Sequence, residues 1–213
     1  MGGISEHHVE WAVVNRLKRM LDDPPRTTFN VTQTFALFST VVLWTKQRMW
    51  VEDGPNSAAD HAARQARGSL GKSCILDAPW LLSTSKPDVA AVHGGPSTAV
   101  GDTSINTGFA NVSAADFVYL VRNSLAHGDG RKLRPLHKPS YRRAHTTDLA
   151  GFELGLSPLK KGQPALTLAL YHEDMRRIGG QLADVFCRYL SHDETYFELE
   201  ASTAAVREPR RVA

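Results

Sequence analysis

The chain has 213 residues, 42% of them hydrophobic, which is enough for one sizeable domain with a proper apolar core. Lys and Arg number 25 against 22 Asp and Glu, a net charge of only +3, so a polyanionic partner is permitted but not demanded. The cysteines, Cys74 and Cys187, stand far apart without a CxxC companion; this excludes a multi-cysteine zinc module and a disulfide framework, and both read as small buried hydrophobes in a reducing cytosol.

The opening MGGISEHHVEW has no basic stretch followed by an apolar one, so no secretory signal is expected. Val9, Val13, Leu17, Met20 and Leu21 then recur at helical spacing, and Pro24-Pro25 stops that helix. A second helix is predicted from about Asn30 to Trp50, with Phe35, Phe38, Val42 and Thr45 on one side. Its most apolar run, Phe35 to Trp44, is far short of the ~20 residues that span a bilayer. It reads as a buried core helix of a cytoplasmic protein with no membrane partner. After a turn at Asp53-Gly54-Pro55-Asn56, an Ala-rich helix runs from about Ala58 to Leu70 and ends at Gly71.

From Ser83 to Asn111 the composition shifts to Gly, Ser, Thr and Pro. A structureless stretch of that length is uncommon inside a compact domain, so residues 83–111 read as a flexible insertion. Ser113-Ala114-Ala115-Asp116 is a capping-box pattern that opens the next helix, with Phe117, Val118, Leu120, Val121 and Leu125 as its apolar stripe and Gly128 as its stop. Residues 130–147 read as a basic loop. Beyond it Phe152, Leu154 and Leu156 alternate, as do Leu166, Leu168 and Leu170, which predicts a β-hairpin. A last helix starts near Glu173-Asp174 and carries Met175, Ile178, Leu182, Val185, Phe186 and Tyr189; Gly179-Gly180 inside it implies a close crossing or a kink. The fold class expected is mainly α: a helical bundle with a small β-hairpin before the last helix. One domain over residues 1–205 and a disordered tail over 206–213 complete the expectation.

Chemistry concentrates in FVYLVRNSLAHGDGRKLRP. On a wheel of ~100° per residue with Phe117 at zero, the apolar residues occupy an arc from about 300° to 100°. Arg122 falls near about 140°, Ala126 near 180°, Tyr119 near 200°, Asn123 near 240° and His127 near 280°. The face opposite the core is thus a shallow polar cup with arginine and histidine on its rims. Histidine serves as acid or base at neutral pH, and the arginine fork fits phosphate oxygens. Asn123, one turn before His127, can fix the ring or donate to phosphate. One helix supplies one histidine, whereas RNA transesterification uses two proton-transfer groups, so two such helices across a two-fold axis would complete the set.

By spacing alone Arg-x4-His is a weak signal, and a helix-end histidine is stabilised by the dipole in any protein. The neighbouring stretch strengthens it: from Gly130 to Thr147 stand Arg131, Lys132, Arg134, Lys138, Arg142 and Arg143 with no acidic residue, an electrostatic footprint for RNA backbone. Arg131, Lys132 and Arg134 are the RNA-binding candidates. His7-His8, His137, His145, His172 and His192 read as solvated or unassigned, and no phosphate-loop pattern is present.

Arg122-Asn123-Ser124-Leu125-Ala126-His127 resembles the signature of the HEPN superfamily, and VRNSLAHGDGRKLRP looks like a small prokaryotic branch of it. The resemblance covers the helical core and is most specific at the motif. It implies a HEPN-like helical bundle that works as a homodimer with facing motifs. It also implies a metal-independent endoribonuclease without cofactor, often a toxin or phage-defence component governed by an inhibitor or antitoxin protein. Carried over, His127 is the catalytic histidine, Arg122 the phosphate-stabilising arginine and Asn123 the orienting polar residue. Asp129 stands where one branch has a tyrosine, which puts control by nucleotide transfer in doubt. The competing reading is a non-catalytic HEPN module that binds nucleotide, RNA or protein.

Overall fold

The computed structural model describes residues 9–23, 29–50, 58–87, 104–126, 133–139, 147–158, 162 and 164–190. Five α-helices and three strands follow in the order α1 (Val9–Asp22), α2 (Asn30–Met49), α3 (Ala58–Gly71), α4 (Ala114–Ala126), β1 (Leu133–Pro139), β2 (Thr147–Leu156), β3 (Leu166–Tyr171) and α5 (His172–Val185). The strands form one antiparallel sheet in the order β1-β2-β3. The fold is therefore mixed α and β, which corrects the mainly α expectation.

The source of that correction is β1, which occupies the segment read as a basic loop. Its sequence, LRPLHKP, has two prolines and no apolar alternation, so period-2 patterning does not reveal it. Proline lacks the ladder donor and is tolerated on an edge strand, and β1 is an edge, paired only with β2 from Leu133↔Leu154 to Pro139↔Thr147. The register slips between Leu136 and His137, leaving Ala150 as the extra residue of a bulge.

α2 and α5 form the centre. α2 packs against α5, α4, α1, α3 and β2, and α5 against α2, α1 and β3. Phe38, Val41, Val42 and Met49 of α2 meet Met175, Ile178 and Leu182 of α5 in one apolar core. The crossing is close at Gly179, where an added Cβ would stand 2.8 Å from Leu21 Cδ1 and 3.4 Å from the Phe38 ring. Of the two alternatives for Gly179-Gly180, close crossing is the one adopted. Past Val185 the helix widens into a π-helical turn, Phe186–Leu190, which sets Phe186 edge-on to Trp44 with centroids 6.2 Å apart.

The sheet lies against α2 and α4. Phe35 and Phe152 bring their rings within 4.3 Å, Leu154, Leu156, Leu168 and Leu170 are buried, and Ser124 of α4 donates its hydroxyl to the Gly155 carbonyl at 3.1 Å. α4 begins as its sequence predicts. Asp116 N–H donates to Ser113 Oγ at 3.1 Å, and that hydroxyl donates to Asp116 Oδ2 at 2.8 Å, satisfying an otherwise unpaired helix-start amide.

The segment read as an insertion divides. Residues 88–103 lie outside the described residues, but its two flanks join. Ser85 bridges to Ser104, Ile105 N–H donates to Thr84 O at 2.9 Å, and a short 3-10 turn at Thr107–Phe109 carries a fully buried Phe109. Asn106, in the left-handed region at φ 54°, uses its amide like a strand partner. Oδ1 accepts from Ala169 N–H at 2.8 Å, and Nδ2 donates to Ala169 O at 2.9 Å and to Ser83 O at 2.8 Å. That covers part of the free edge of β3, the feature that otherwise invites foreign strands.

Asp174 is completely buried and fully partnered. Oδ1 accepts from Ser83 N–H at 3.1 Å, Ser83 Oγ at 2.7 Å and Arg177 Nη2 at 2.8 Å, while Oδ2 accepts from Tyr171 N–H at 3.1 Å. Asp174→Ala is expected to destabilise the protein by roughly 3 kcal/mol, because Ser83 and the Tyr171 amide lose the buried acceptor that joins them and Arg177 keeps only the Trp80 and Leu81 carbonyls. Urea unfolding measures this; a change within about 0.5 kcal/mol, typical of an exposed site, would contradict it.

Candidate functional site

Arg122 sits on the polar face of α4, half-buried, and its Nη1 donates to Asn123 Oδ1 at 3.2 Å. The hydrogen bond holds the guanidinium beside the amide, so these two sequence-predicted residues are brought together. His127, Arg131 and Lys132 lie outside the described residues, as do Arg142 and Arg143. Arg134 is on β1, with its side chain 74% exposed and a loose 3.8 Å ion pair to Glu153. An exposed pair of that length contributes little and leaves the guanidinium open to solvent.

Three further side chains from other helices cluster on the face of α4 that carries Tyr119 and Arg122. Lys46 and Trp50 lie one turn apart at the C-terminal end of α2, Arg67 comes from α3, and Tyr119 precedes Arg122 by one turn of α4. The Lys46 ammonium stands 3.1 Å from the centroid of the Trp50 ring and 5.4 Å from that of Tyr119. The Arg67 guanidinium lies 5.7 Å from the Trp50 centroid. Trp50 and Tyr119 have their centroids 6.4 Å apart at a tilt of 41°, and they remain 40% and 41% exposed. Cation–π attraction holds the ammonium over the indole.

The electrostatics are lopsided. Burial, with added repulsion from Arg122 and Arg67, pushes the Lys46 ammonium down to about 8, and no carboxylate among the described residues pairs with Lys46, Arg67 or Arg122. Two other arginines on the same two helices, α2 and α3, are matched. Arg48, two residues beyond Lys46, reaches Glu10 at 3.1 Å, and Arg64 reaches Asp60 at 2.8 Å. The open groove between α1 and α5 likewise contains Lys18 with Asp22 and Asp184, and Arg176 with Glu173, so its charges already answer one another.

The remaining titratable candidates have structural places. His172 Nε2 is 2.9 Å from the buried Thr34 hydroxyl, and desolvation lowers its pKa. His137 is exposed on β1. Cys187 is buried, and burial pushes its thiol up to about 12, which leaves it inert at neutral pH. Cys74 is half-buried, not fully buried as expected, with its thiol 3.4 Å from the Ala110 carbonyl. Among the described residues no helix is long and apolar enough to cross a membrane.

Sequence reasoning found Arg122, Asn123 and the outward-facing Tyr119 but missed Lys46, Trp50 and Arg67. The available signal was a lysine and a tryptophan spaced i, i+4 on an otherwise apolar helix. Which other helix they face is a tertiary fact. No protein-family model, no curated protein and no solved structure matches this chain.

The repulsion is directly measurable. Arg122→Gln is expected to raise the Lys46 pKa from about 8 toward, without reaching, the ordinary 10.5, because burial is the larger cause. Nitrogen-detected NMR of the lysine side chains follows the titration; an unmoved Lys46 would contradict the placement of the two charges.

Proposed function

We propose that the protein is a metal-independent endoribonuclease of the HEPN type, acting as a homodimer in the cytoplasm. Arg122, Asn123 and His127 from each copy would build a composite site. The observation that carries this reading is Arg122 itself: half-buried, oriented by Asn123 and unmatched by any described carboxylate. A guanidinium so held is suited to a phosphate. The resemblance of the segment 122–127 to the HEPN signature adds the histidine and the two-fold arrangement.

In the proposed reaction one His127 takes the proton of a ribose 2′-hydroxyl, and the 2′-oxygen attacks the adjacent phosphorus. The bond from phosphorus to the 5′-oxygen breaks, and the second His127 returns a proton to that leaving oxygen. The products are a 2′,3′-cyclic phosphate and a 5′-hydroxyl. Arg122 stabilises the charge on the five-coordinate phosphorus, while Arg131, Lys132 and Arg134 hold the flanking backbone. A toxin or phage-defence role, with an inhibitor or antitoxin protein as partner, belongs to this reading. The second reading, a nucleotide- or RNA-binding module without catalysis, draws on the Lys46–Arg67–Arg122 cluster, which needs no histidine to hold a phosphate.

Wild-type protein is expected to cut labelled single-stranded RNA in excess EDTA. His127→Ala should keep the wild-type circular-dichroism melt and lose about 10²- to 10⁴-fold in rate, the usual range for a general acid–base. Equal cutting by both proteins, or cutting only after metal is added, would overturn the assignment. Binding without cutting by either would favour the module.

A further inference from the structure

We infer that Lys46, Arg67 and Arg122, walled by Trp50 and Tyr119, form a subsite for one nucleotide unit at the junction of α2, α3 and α4. The cations take its phosphate, and the open aromatic surface takes its base. The inference rests on reading the Arg122 face as a phosphate-binding face, but not on cleavage.

Three observations on different elements lead to it. Burial depresses Lys46, and repulsion from Arg122 and Arg67 on two other helices adds to it, although the three residues are 21 and 55 positions apart in sequence. Packing has thus brought like charges together in a half-buried place, which opposes folding unless something anionic is gained there. The helix dipole does not account for it. Among these three residues only Lys46 lies in a last helical turn; neither α3 nor α4 has a basic residue there, and the dipole's effect fades within that turn.

Among the described residues, moreover, no carboxylate pairs with any of the three cations. What holds Lys46 is the indole face at 3.1 Å, an attraction that leaves the positive charge and its N–H donors available to an oxygen ligand. A phosphate group supplies the missing negative charge with several acceptor oxygens. Finally, two aromatic side chains about 40% exposed, Trp50 and Tyr119, border the same charges. Inorganic phosphate would have no use for them. A nucleobase stacks on such rings, and cations interleaved with aromatics are how proteins hold single strands.

Two sources share this chemistry, a free nucleotide and one position of an RNA strand, and the experiment separates them. Full-length His127→Ala protein serves as background, so that binding is measured without cutting. The probes are a fluorescein-labelled single-stranded 12-mer RNA and unlabelled AMP as competitor.

Both Lys46→Gln and Arg67→Gln are expected to weaken RNA binding by tenfold or more. Each should also reduce the slope of log affinity against log salt by about 0.7, the value for one lost phosphate contact on a single strand. Tyr119→Ala should weaken binding by about fivefold or more with the salt slope unchanged, since stacking carries no counterion. Thermal midpoints of the two charge variants are expected to match or exceed the parent's, because repulsion is relieved. As the pH rises through about 8, the parent should lose affinity as Lys46 loses its proton, its charged neighbours among the described residues being Arg67 of α3 and Arg122 of α4. Lys46→Arg should hold its affinity through that range.

Competition by AMP at micromolar to millimolar concentration supports a free nucleotide as the source, and binding of the strand alone supports RNA. Wild-type affinity and salt slope in the Lys46→Gln and Arg67→Gln variants, or no binding of either probe by the parent, would overturn the subsite. Loss of the catalytic reading alone would instead appear as RNA binding with these slopes in a wild-type protein that never cuts.

Discussion

The fold depends on keeping one buried carboxylate satisfied. Removing a carboxylate from water costs several kcal/mol, recovered only when its oxygens are fully hydrogen-bonded. Asp174 therefore requires Ser83, Arg177 and the Tyr171 amide in place together. Those partners belong to the start of α5, the end of β3 and the segment after α3. Arg177 extends the tie to the carbonyls of Trp80 and Leu81, and Ser83 passes it through Asn106 to Ala169 in β3. One charge thus locks α5 to the sheet and closes the neck between Ser85 and Ser104.

The lock matters for the candidate site because the sheet is one of the surfaces that positions α4. β2 receives the Ser124 hydroxyl at Gly155, and Phe117, Val118, Leu120 and Val121 are buried in the common core. With that stripe buried, the helical period leaves Arg122 and Tyr119 facing outward, toward the end of α2 and toward α3. Lys46 and Arg67 arrive there on helices placed by the same core. The depressed Lys46 follows first from its burial and then from the two cations near it: apolar packing imposes their meeting, and the cations do not favour it themselves.

Much of this was legible from residues alone. The helical segments α1 to α5 follow from three- and four-residue apolar spacing and from local signals such as Pro24-Pro25, Ser113 with Asp116 and the acidic start at Glu173-Asp174. The β2-β3 hairpin follows from strict alternation at Phe152-Leu154-Leu156 and Leu166-Leu168-Leu170. β1 was not legible, because an edge strand with Pro135 and Pro139 is held by backbone pairing and shows no pattern. Missing it made the protein look mainly α. Asn106 and Phe109 were hidden for another reason. Their neighbours are mostly Gly, Ser and Thr, and their burial depends on tertiary partners, Ala169 of β3 for Asn106 and Phe117 of α4 for Phe109. The cluster around Arg122 was half legible: the wheel gives the face on α4, but nothing local says that Lys46 and Arg67 share it.

The proposed function requires that the Arg122–His127 segment cut RNA through the ribose 2′-hydroxyl. The most direct measurement uses two otherwise identical RNA substrates, one all-ribose and one with a single 2′-deoxy sugar at the position found to be cut, each incubated with wild-type protein in EDTA. The account predicts that the first is cut to a 2′,3′-cyclic phosphate, identified by mass, and that the second is bound equally well but left intact at that position. Cleavage of the deoxy-substituted bond, or a linear phosphate formed directly by added water, would contradict it.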